Sequence, residues 1–130
     1  MKYITINYIL KLHKKIIVTT GGSHGIRDME LLKSALENSK STFDGKDLYP
    51  KIENKCASIC YSIINNHAFL DGNKRIGLYV MILLLEYNGV KLKFTQTELI
   101  KFGLDIAKGD LNQKNILAWI ENHKLHFNKR

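Results

Sequence analysis

Residue types suited to chemistry on a phosphate group are concentrated in one short segment, residues 67–75, which reads HAFLDGNKR. The imidazole of His67 is suited to remove the proton from an attacking hydroxyl group. The ammonium group of Lys74 can bind phosphate oxygens as a point charge. The planar guanidinium group of Arg75 can bind them through two parallel N–H groups. Asp71 is a candidate ligand for a magnesium ion that shares those oxygens. These residues together predict a group-transfer site with His67 as its catalytic base.

The apolar pattern on either side of segment 67–75 predicts that the segment joins two helices. Upstream, apolar residues share one face of a helix predicted over residues 51–66, so that His67 follows its end. Downstream, residues 73–88 would place apolar side chains on nearly every face of a helix. This pattern indicates a central helix that is packed on most sides. The first turn of a helix presents unpaired N–H groups and a positive dipole end, which favour an anion. We expect the phosphates to be held there by Gly72, Asn73, Lys74 and Arg75.

The remaining apolar pattern predicts an all-α fold, a compact bundle of about six helices around the central buried helix. Thr5 and Asp28 are suited to cap the first two helices, and Thr95 opens a capping box for the fifth. Residues 38–50 are predicted to form a polar loop. Because no linker composition interrupts the chain, we assign residues 1–130 to a single domain.

Three further side chains with reactive groups are predicted to be structural. Cys56 and Cys60 stand four positions apart in an apolar helical pattern, without C-x-x-C or clustered ligand spacing. This pattern favours two reduced thiols in the core, which suits a reducing compartment. His13 lies on the apolar stripe of the first helix, and we expect a hydrogen-bonded histidine outside the catalytic site.

Composition and charge narrow the classes of partner and compartment. The formal charge is +8, but the lysines and arginines are scattered, so direct binding of nucleic acid is not expected. Polar residues interrupt the N-terminus too early for the apolar core of a signal peptide. The longest apolar run, residues 76–85, is about half of the ~20 residues that span a bilayer. We therefore expect a cytoplasmic protein without a membrane partner.

The spacing within segment 67–75 resembles the signature of the Fic/Doc family, histidine-x-Phe-x-Asp/Asn-Ala/Gly-Asn-Lys-Arg, and every fixed position matches. Residues 21–28, GGSHGIRD, and residues 42–50, TFDGKDLYP, resemble the Doc branch of that family. The resemblance implies the compact Fic-type helical core. It also implies that residues 42–50 lie where Fic proteins use a flap to align the target protein.

The resemblance further implies a reaction. Adenylylating Fic enzymes typically carry glycine where this chain has Lys74, whereas Doc-type members carry lysine. The nucleotide would therefore lie inverted and offer its γ-phosphate, which makes the protein a protein-directed phosphotransferase that uses ATP with Mg²⁺. By the same resemblance the target is a translation elongation factor. The implied role is the toxin of a toxin-antitoxin pair that inhibits translation and growth.

The resemblance also bears on regulation. Many Fic proteins restrain themselves with a helix bearing Ser/Thr-x-x-x-Glu-Gly/Asn, whose glutamate blocks the phosphate-binding arginine. Here the two Glu-Asn pairs are preceded, four positions before the glutamate, by Lys33 and Leu117, neither of which is a hydroxyl residue. We therefore expect restraint in trans by a cognate antitoxin, whose C-terminal helix fills a groove between the helices.

Two other functions remain open. The nearest is a Fic-type protein adenylyltransferase that uses the same residues. The other is a non-catalytic toxin that binds the ribosome or its RNA, for which segment 67–75 would be a relic and binding would be salt-sensitive. A P-loop and the protein-kinase residue set are both missing from the sequence, so a nucleotide would have to bind at segment 67–75.

Overall fold

The computed structural model describes residues 1–125, so residues 126–130 of the predicted domain lie outside the described part. The described chain forms, in order, α1 (Ile6–Thr20), α2 (Met29–Asn38), β1 (Thr42–Phe43), β2 (Lys46–Asp47), α3 (Ile52–Asn66), α4 (Asn73–Tyr87), α5 (Gln96–Ala107) and α6 (Gln113–His123). The prediction of an all-α fold with about six helices is confirmed. Among residues 1–125, none of the helices combines the length and the apolar composition that a membrane-spanning helix needs.

Helices α3 and α4 form the centre of the fold. Helix α4 packs against α1, α3 and α5, and α3 also contacts α2 and α6. Gly77 of α4 lets these two central helices approach closely, since a Cβ atom there would lie 2.7 Å from Cγ1 of Ile64. Cys56 and Cys60 are free thiols buried in the core, and burial raises the pKa of Cys56 to about 12 and raises that of Cys60 as well. The prediction of two core thiols is confirmed.

The predicted helix caps are present. The hydroxyl oxygen of Thr5 accepts a hydrogen bond from the N–H of Tyr8, and the carboxylate of Asp28 accepts from two N–H groups of α2. Thr95 and Glu98 form a reciprocal capping box at the start of α5. Each cap satisfies N–H groups that the start of a helix leaves unpaired. The local sequence therefore determines where α1, α2 and α5 begin.

The prediction that residues 38–50 form a polar loop is wrong in part. Asn38 still belongs to α2, and β1 and β2 pair as an antiparallel hairpin. Asp44 and Gly45 connect the strands with φ values of 54° and 76°. A two-residue turn with both φ values positive matches the twist of a hairpin, and Asp-Gly is well suited to it. The Asp-Gly pair is thus the local cause of the hairpin.

Candidate active site

Segment 67–75 connects α3 to α4 and lines a pocket of about 320 Å³. The residues that line this pocket are Ile64, His67, Leu70, Asp71, Gly72, Asn73, Lys74, Arg75 and Ala107. Every residue that the sequence nominated for catalysis, phosphate binding or metal binding is among them. The structure therefore brings the predicted site residues together, with one residue of α3 and one of α5 completing the wall.

His67 ends α3 in an unusual backbone conformation. Its φ and ψ are both 52°, in the left-handed region that non-glycine residues seldom adopt. The residue is exposed, and its ring makes no hydrogen bond with any other residue between 1 and 125. The turn thus directs the chain from α3 into segment 67–75 and leaves the imidazole nitrogens open to a substrate.

Residues 25–28 run antiparallel to the start of segment 67–75 and hold its backbone. The N–H groups of Arg27 and Asp28 donate to the carbonyl oxygen of Ala68 at 2.7 and 3.0 Å, and the N–H of Leu70 donates to Gly25 at 3.2 Å. Arg27 also donates from Nε to the carbonyl oxygen of His67 at 2.7 Å. Sequence reasoning missed this residue as part of the site, although it lies within the stretch 21–28 that resembles the Doc branch.

Asp71 is held as an ionised carboxylate at the edge of the pocket. Its Oδ2 accepts from the N–H of Ser23 at 3.1 Å and its Oδ1 from the N–H of Gly72 at 2.8 Å. These hydrogen bonds, together with the nearby Arg75, hold the pKa of Asp71 below its usual value. The side chain remains 47% exposed. An oxygen ligand of this kind fits Mg²⁺, which usually binds one or two carboxylates together with phosphate oxygens and water.

The described part of the chain contains no preformed cluster of metal-binding side chains. No three His, Cys, Asp or Glu residues between 1 and 125 are grouped so that they could hold a metal ion. At Asp71, Mg²⁺ would need phosphate oxygens from a nucleotide in addition to the carboxylate. This donor set is typical of nucleotide-dependent enzymes.

The start of α4 is open to an anion. Gly72 is the N-cap residue with φ 76°, and no side chain of the described part caps this helix end. The positive φ favours glycine, and a Cβ atom at Gly72 would also crowd Ile17, whose Cδ1 would lie 3.1 Å away. The first N–H groups of α4 consequently point out of the helix without a side-chain partner. They are suited to phosphate oxygens.

Lys74 and Arg75 reach the pocket by different routes. The stem of Lys74 passes Gly103 of α5, where a Cβ atom would lie only 3.0 Å from Cγ of the lysine. Arg75 donates from Nη1 to the hydroxyl of Thr20 and to the carbonyl oxygen of Gly21, the latter at 3.1 Å. Packing therefore orients the lysine, whereas hydrogen bonds to the end of α1 orient the arginine.

The side chain of Asn73 is used inside segment 67–75. Its Oδ1 accepts from the N–H of Phe69 and its Nδ2 donates to the carbonyl oxygen of Phe69, both at 3.0 Å. Any contact of Asn73 with a phosphate would thus come from its backbone N–H. Phe69 is buried, and the ring of His13 stacks on it at 3.9 Å between centroids.

His13 is buried and shares a hydrogen bond of 2.8 Å between Nε2 and the carbonyl oxygen of Asp71. Because a carbonyl oxygen only accepts, Nε2 carries the proton in this hydrogen bond. The prediction that His13 is hydrogen-bonded on a buried face of α1 is confirmed, and its place outside the catalytic site stays a prediction. Through these contacts with Phe69 and Asp71, α1 supports the backbone of segment 67–75.

Two comparisons with known proteins bear on the family of this chain. Residues 3–85 match the model of the Fic/DOC family, a range that contains segments 21–28 and 67–75. The chain is also 37% identical over 75 residues to the protein named Toxin Doc from Mycolicibacterium smegmatis. That match covers 58% of this chain and 58% of the relative, so the chain spans a little over half of the relative's length. The resemblance stated from sequence is confirmed, and this chain belongs to the Fic/DOC family.

Proposed function

We propose that this chain is a protein-directed phosphotransferase that acts as the toxin of a toxin-antitoxin pair and blocks translation. One observation carries the proposal. His67, Asp71, Lys74 and Arg75 line one pocket at the open N-terminus of α4. The family, and the relative named Toxin Doc, support a group-transfer toxin in general terms.

The residues suit ATP bound with Mg²⁺. When bound, ATP supplies the phosphoryl group and Mg²⁺ neutralises charge on its phosphate oxygens. Asp71 would hold the metal ion, while Lys74, Arg75 and the first N–H groups of α4 would bind phosphate oxygens. Gly72 has no side chain and would let these oxygens approach the backbone.

His67 is the proposed base. The oxygen of the target hydroxyl forms a bond to the γ-phosphorus, and the bond from that phosphorus to the oxygen of the leaving ADP breaks. The proton of the hydroxyl passes to a ring nitrogen of His67, which the exposed ring leaves open. Phosphoryl transfer needs mainly positioning and charge stabilisation, so one such pocket is sufficient.

The hairpin of β1 and β2 is the proposed flap for the target protein. All four strand residues are exposed, and Phe43 retains 77% of its accessible surface. An edge of such a hairpin presents N–H and carbonyl groups that an extended segment of a partner can pair with. By the family resemblance we propose a translation elongation factor as the target.

The donor phosphate separates the two enzymatic functions. When the chain is incubated with Mg²⁺, ATP and purified translation elongation factor, the target should gain label from the γ-phosphate and none from the α-phosphate. Its mass should rise by one phosphate group. Lys74→Gly should lower this transfer by about 10-fold or more, since an ionic contact to the phosphates is lost.

Each other outcome identifies another function. Label from the α-phosphate would contradict phosphotransfer and indicate an adenylyltransferase. If no label is transferred, and the chain instead binds ribosomal RNA with an affinity that falls steeply with salt, the non-catalytic toxin is correct. Arg75→Gln should leave such RNA binding nearly unchanged, because one scattered charge contributes little.

A groove between α4 and α5 is the proposed site for the antitoxin. It measures about 220 Å³ and is lined by Lys74, Arg75, Leu78, Tyr79, Gln96, Leu99 and Ile100. Tyr79 and Ile100 are 44% and 59% exposed, so the groove offers apolar surface beside the phosphate-binding cations. With a formal charge of +8 on this chain, an acidic amphipathic helix is the complementary partner.

Binding of the antitoxin should stabilise the folded chain. At a free concentration about 100 times its Kd, the product of the adjacent gene should add about 2.7 kcal/mol and raise the Tm. Ile100→Gln should weaken this shift, whereas Tyr87→Gln, at an exposed tyrosine outside the groove, should not. An adjacent gene product that neither shifts the Tm nor rescues growth would contradict the toxin-antitoxin role. It would not contradict the proposed phosphoryl transfer.

A further inference from the structure

We propose that Arg27 is a positioning residue that fixes the backbone turn from which His67 projects. Its effect on catalysis rests on the function proposed above, in which His67 is the base. The turn itself is a property of the fold, so it can be measured without any transfer assay. Arg27 does not line the pocket and is not proposed to touch ATP or the target.

The guanidinium group of Arg27 holds two successive carbonyl groups at the end of α3. Nε donates to the carbonyl oxygen of His67 at 2.7 Å, and Nη2 donates to that of Asn66 at 2.8 Å. These partners are 40 and 39 positions away in the sequence, so the contact joins two distant segments. The planar fork of arginine matches this pair of acceptors, and lysine lacks that geometry.

The turn at His67 needs such support. A left-handed conformation is unfavourable at a residue with a side chain, and it persists only where surrounding contacts determine it. The last carbonyl groups of a helix also lack partners within the helix, and a cation near them is favourable. Arg27 supplies both the contact that holds the left-handed conformation and the cation near the helix end. It does so at His67, the proposed base.

The backbone of Arg27 strengthens the same connection. Its N–H donates to the carbonyl oxygen of Ala68 at 2.7 Å, and Ile26 forms a bridge with Phe69. A substitution of the side chain leaves these backbone contacts in place. The loop should therefore stay docked in a variant at position 27 while the carbonyl oxygens of Asn66 and His67 lose their donor.

The test compares Arg27→Ala and Arg27→Lys with Lys33→Ala, which removes an exposed cation of α2. Lys33 pairs only with Glu30 among the described residues, at 3.5 Å, and serves as the matched control. With the full chain, ATP, Mg²⁺ and the purified elongation factor, Arg27→Ala should lower kcat by about 10- to 100-fold, since a misplaced base costs rate. The KM for ATP should change by less than about twofold, because no phosphate contact is lost. Lys33→Ala should match the wild type.

Two further measurements separate positioning from a general loss of structure. Methylguanidinium ion added to Arg27→Ala should restore part of kcat, and it should have no such effect on His67→Ala. Arg27→Lys should keep only part of the wild-type rate, because the ammonium group of lysine cannot donate to both carbonyl oxygens in the geometry of a planar guanidinium group. If Arg27→Ala keeps the wild-type kcat, or loses rate only through a higher KM for ATP, the positioning role is overturned.

An NMR measurement tests the turn independently of activity. In the full chain labelled with ¹³C and ¹⁵N, the backbone carbon shifts of His67 should report a left-handed residue in the wild type and in Lys33→Ala. In a folded Arg27→Ala variant they should move toward an averaged conformation. Unchanged shifts would overturn the proposal about Arg27. A wild type that shows these shifts but transfers no phosphate would overturn the proposed function and leave the positioning role intact.

Discussion

Replacing His67 with asparagine should lower phosphoryl transfer by about 10²- to 10⁴-fold, which is the usual contribution of a positioned acid-base group. The chain should remain folded, because the imidazole is exposed and makes no hydrogen bond with the rest of residues 1–125. Asparagine is the best replacement since it tolerates the left-handed conformation observed at this position. The amide has no titratable nitrogen, so it cannot accept the proton of the hydroxyl.

His67→Ala supplies a second variant and His24→Asn the control. Alanine removes the same base but fits the left-handed turn less well, so it should unfold at a slightly lower urea concentration than His67→Asn. His24 is another exposed histidine, in the loop 21–28, and His24→Asn should keep the wild-type rate. Both rates are measured with γ-labelled ATP, and folding is followed by circular dichroism.

Two outcomes would contradict the role given to His67. A folded His67→Asn variant that transfers phosphate at the wild-type rate would show that another group accepts the proton. Loss of folding in both variants, with His24→Asn intact, would instead mean that the ring is needed for structure. The observed exposure of His67 argues against that second outcome.

The parts of the fold that sequence predicted correctly are those set by neighbouring residues. The caps at Thr5, Asp28 and Thr95 involve hydrogen bonds to residues two or three positions away, so the local sequence determines them. The grouping of the nominated site residues has the same local origin. The six residues lie within nine consecutive positions around the start of α4. The fold therefore brings them together by placing this one helix start at a pocket.

The features that sequence reasoning missed depend on distant contacts or on very short elements. Arg27 meets the carbonyl oxygen of His67 across 40 positions, and no local pattern encodes that pairing. The hairpin has strands of only two residues, too short for an alternating apolar pattern to emerge. The Asp44-Gly45 pair, which favours a tight turn, is the local signal that would have predicted it.

Asn73 illustrates how a residue in a phosphate-binding segment can act through the backbone of that segment. From its type and position at the start of α4, we expected it to bind phosphate. Its side-chain amide is instead paired with both backbone groups of Phe69. These two hydrogen bonds close the turn between His67 and the first N–H groups of α4. The geometry of the pocket therefore depends on Asn73 even if its side chain never touches a ligand.

Replacing Asn73 with alanine should accordingly destabilise the chain by about 2–4 kcal/mol, because it leaves the N–H and carbonyl groups of the buried Phe69 without partners. Urea unfolding measures the loss, and transfer by the folded fraction should fall about 100-fold as His67 and α4 shift relative to each other. Asn73→Asp keeps an acceptor for the N–H and adds a favourable charge at the helix start, so it should be less destabilised than alanine.

The matched control for Asn73→Ala is Asn65→Ala. Asn65 also uses its amide, donating from Nδ2 to the carbonyl oxygen of Tyr61 at 2.8 Å, but that hydrogen bond lies on the exposed surface of α3. Its loss should change stability by about 0.5 kcal/mol or less, as is usual for surface sites. Equal and small losses at the two positions would mean that the amide of Asn73 does not hold the turn. In that case its side chain would be free to bind phosphate, as the sequence alone suggested.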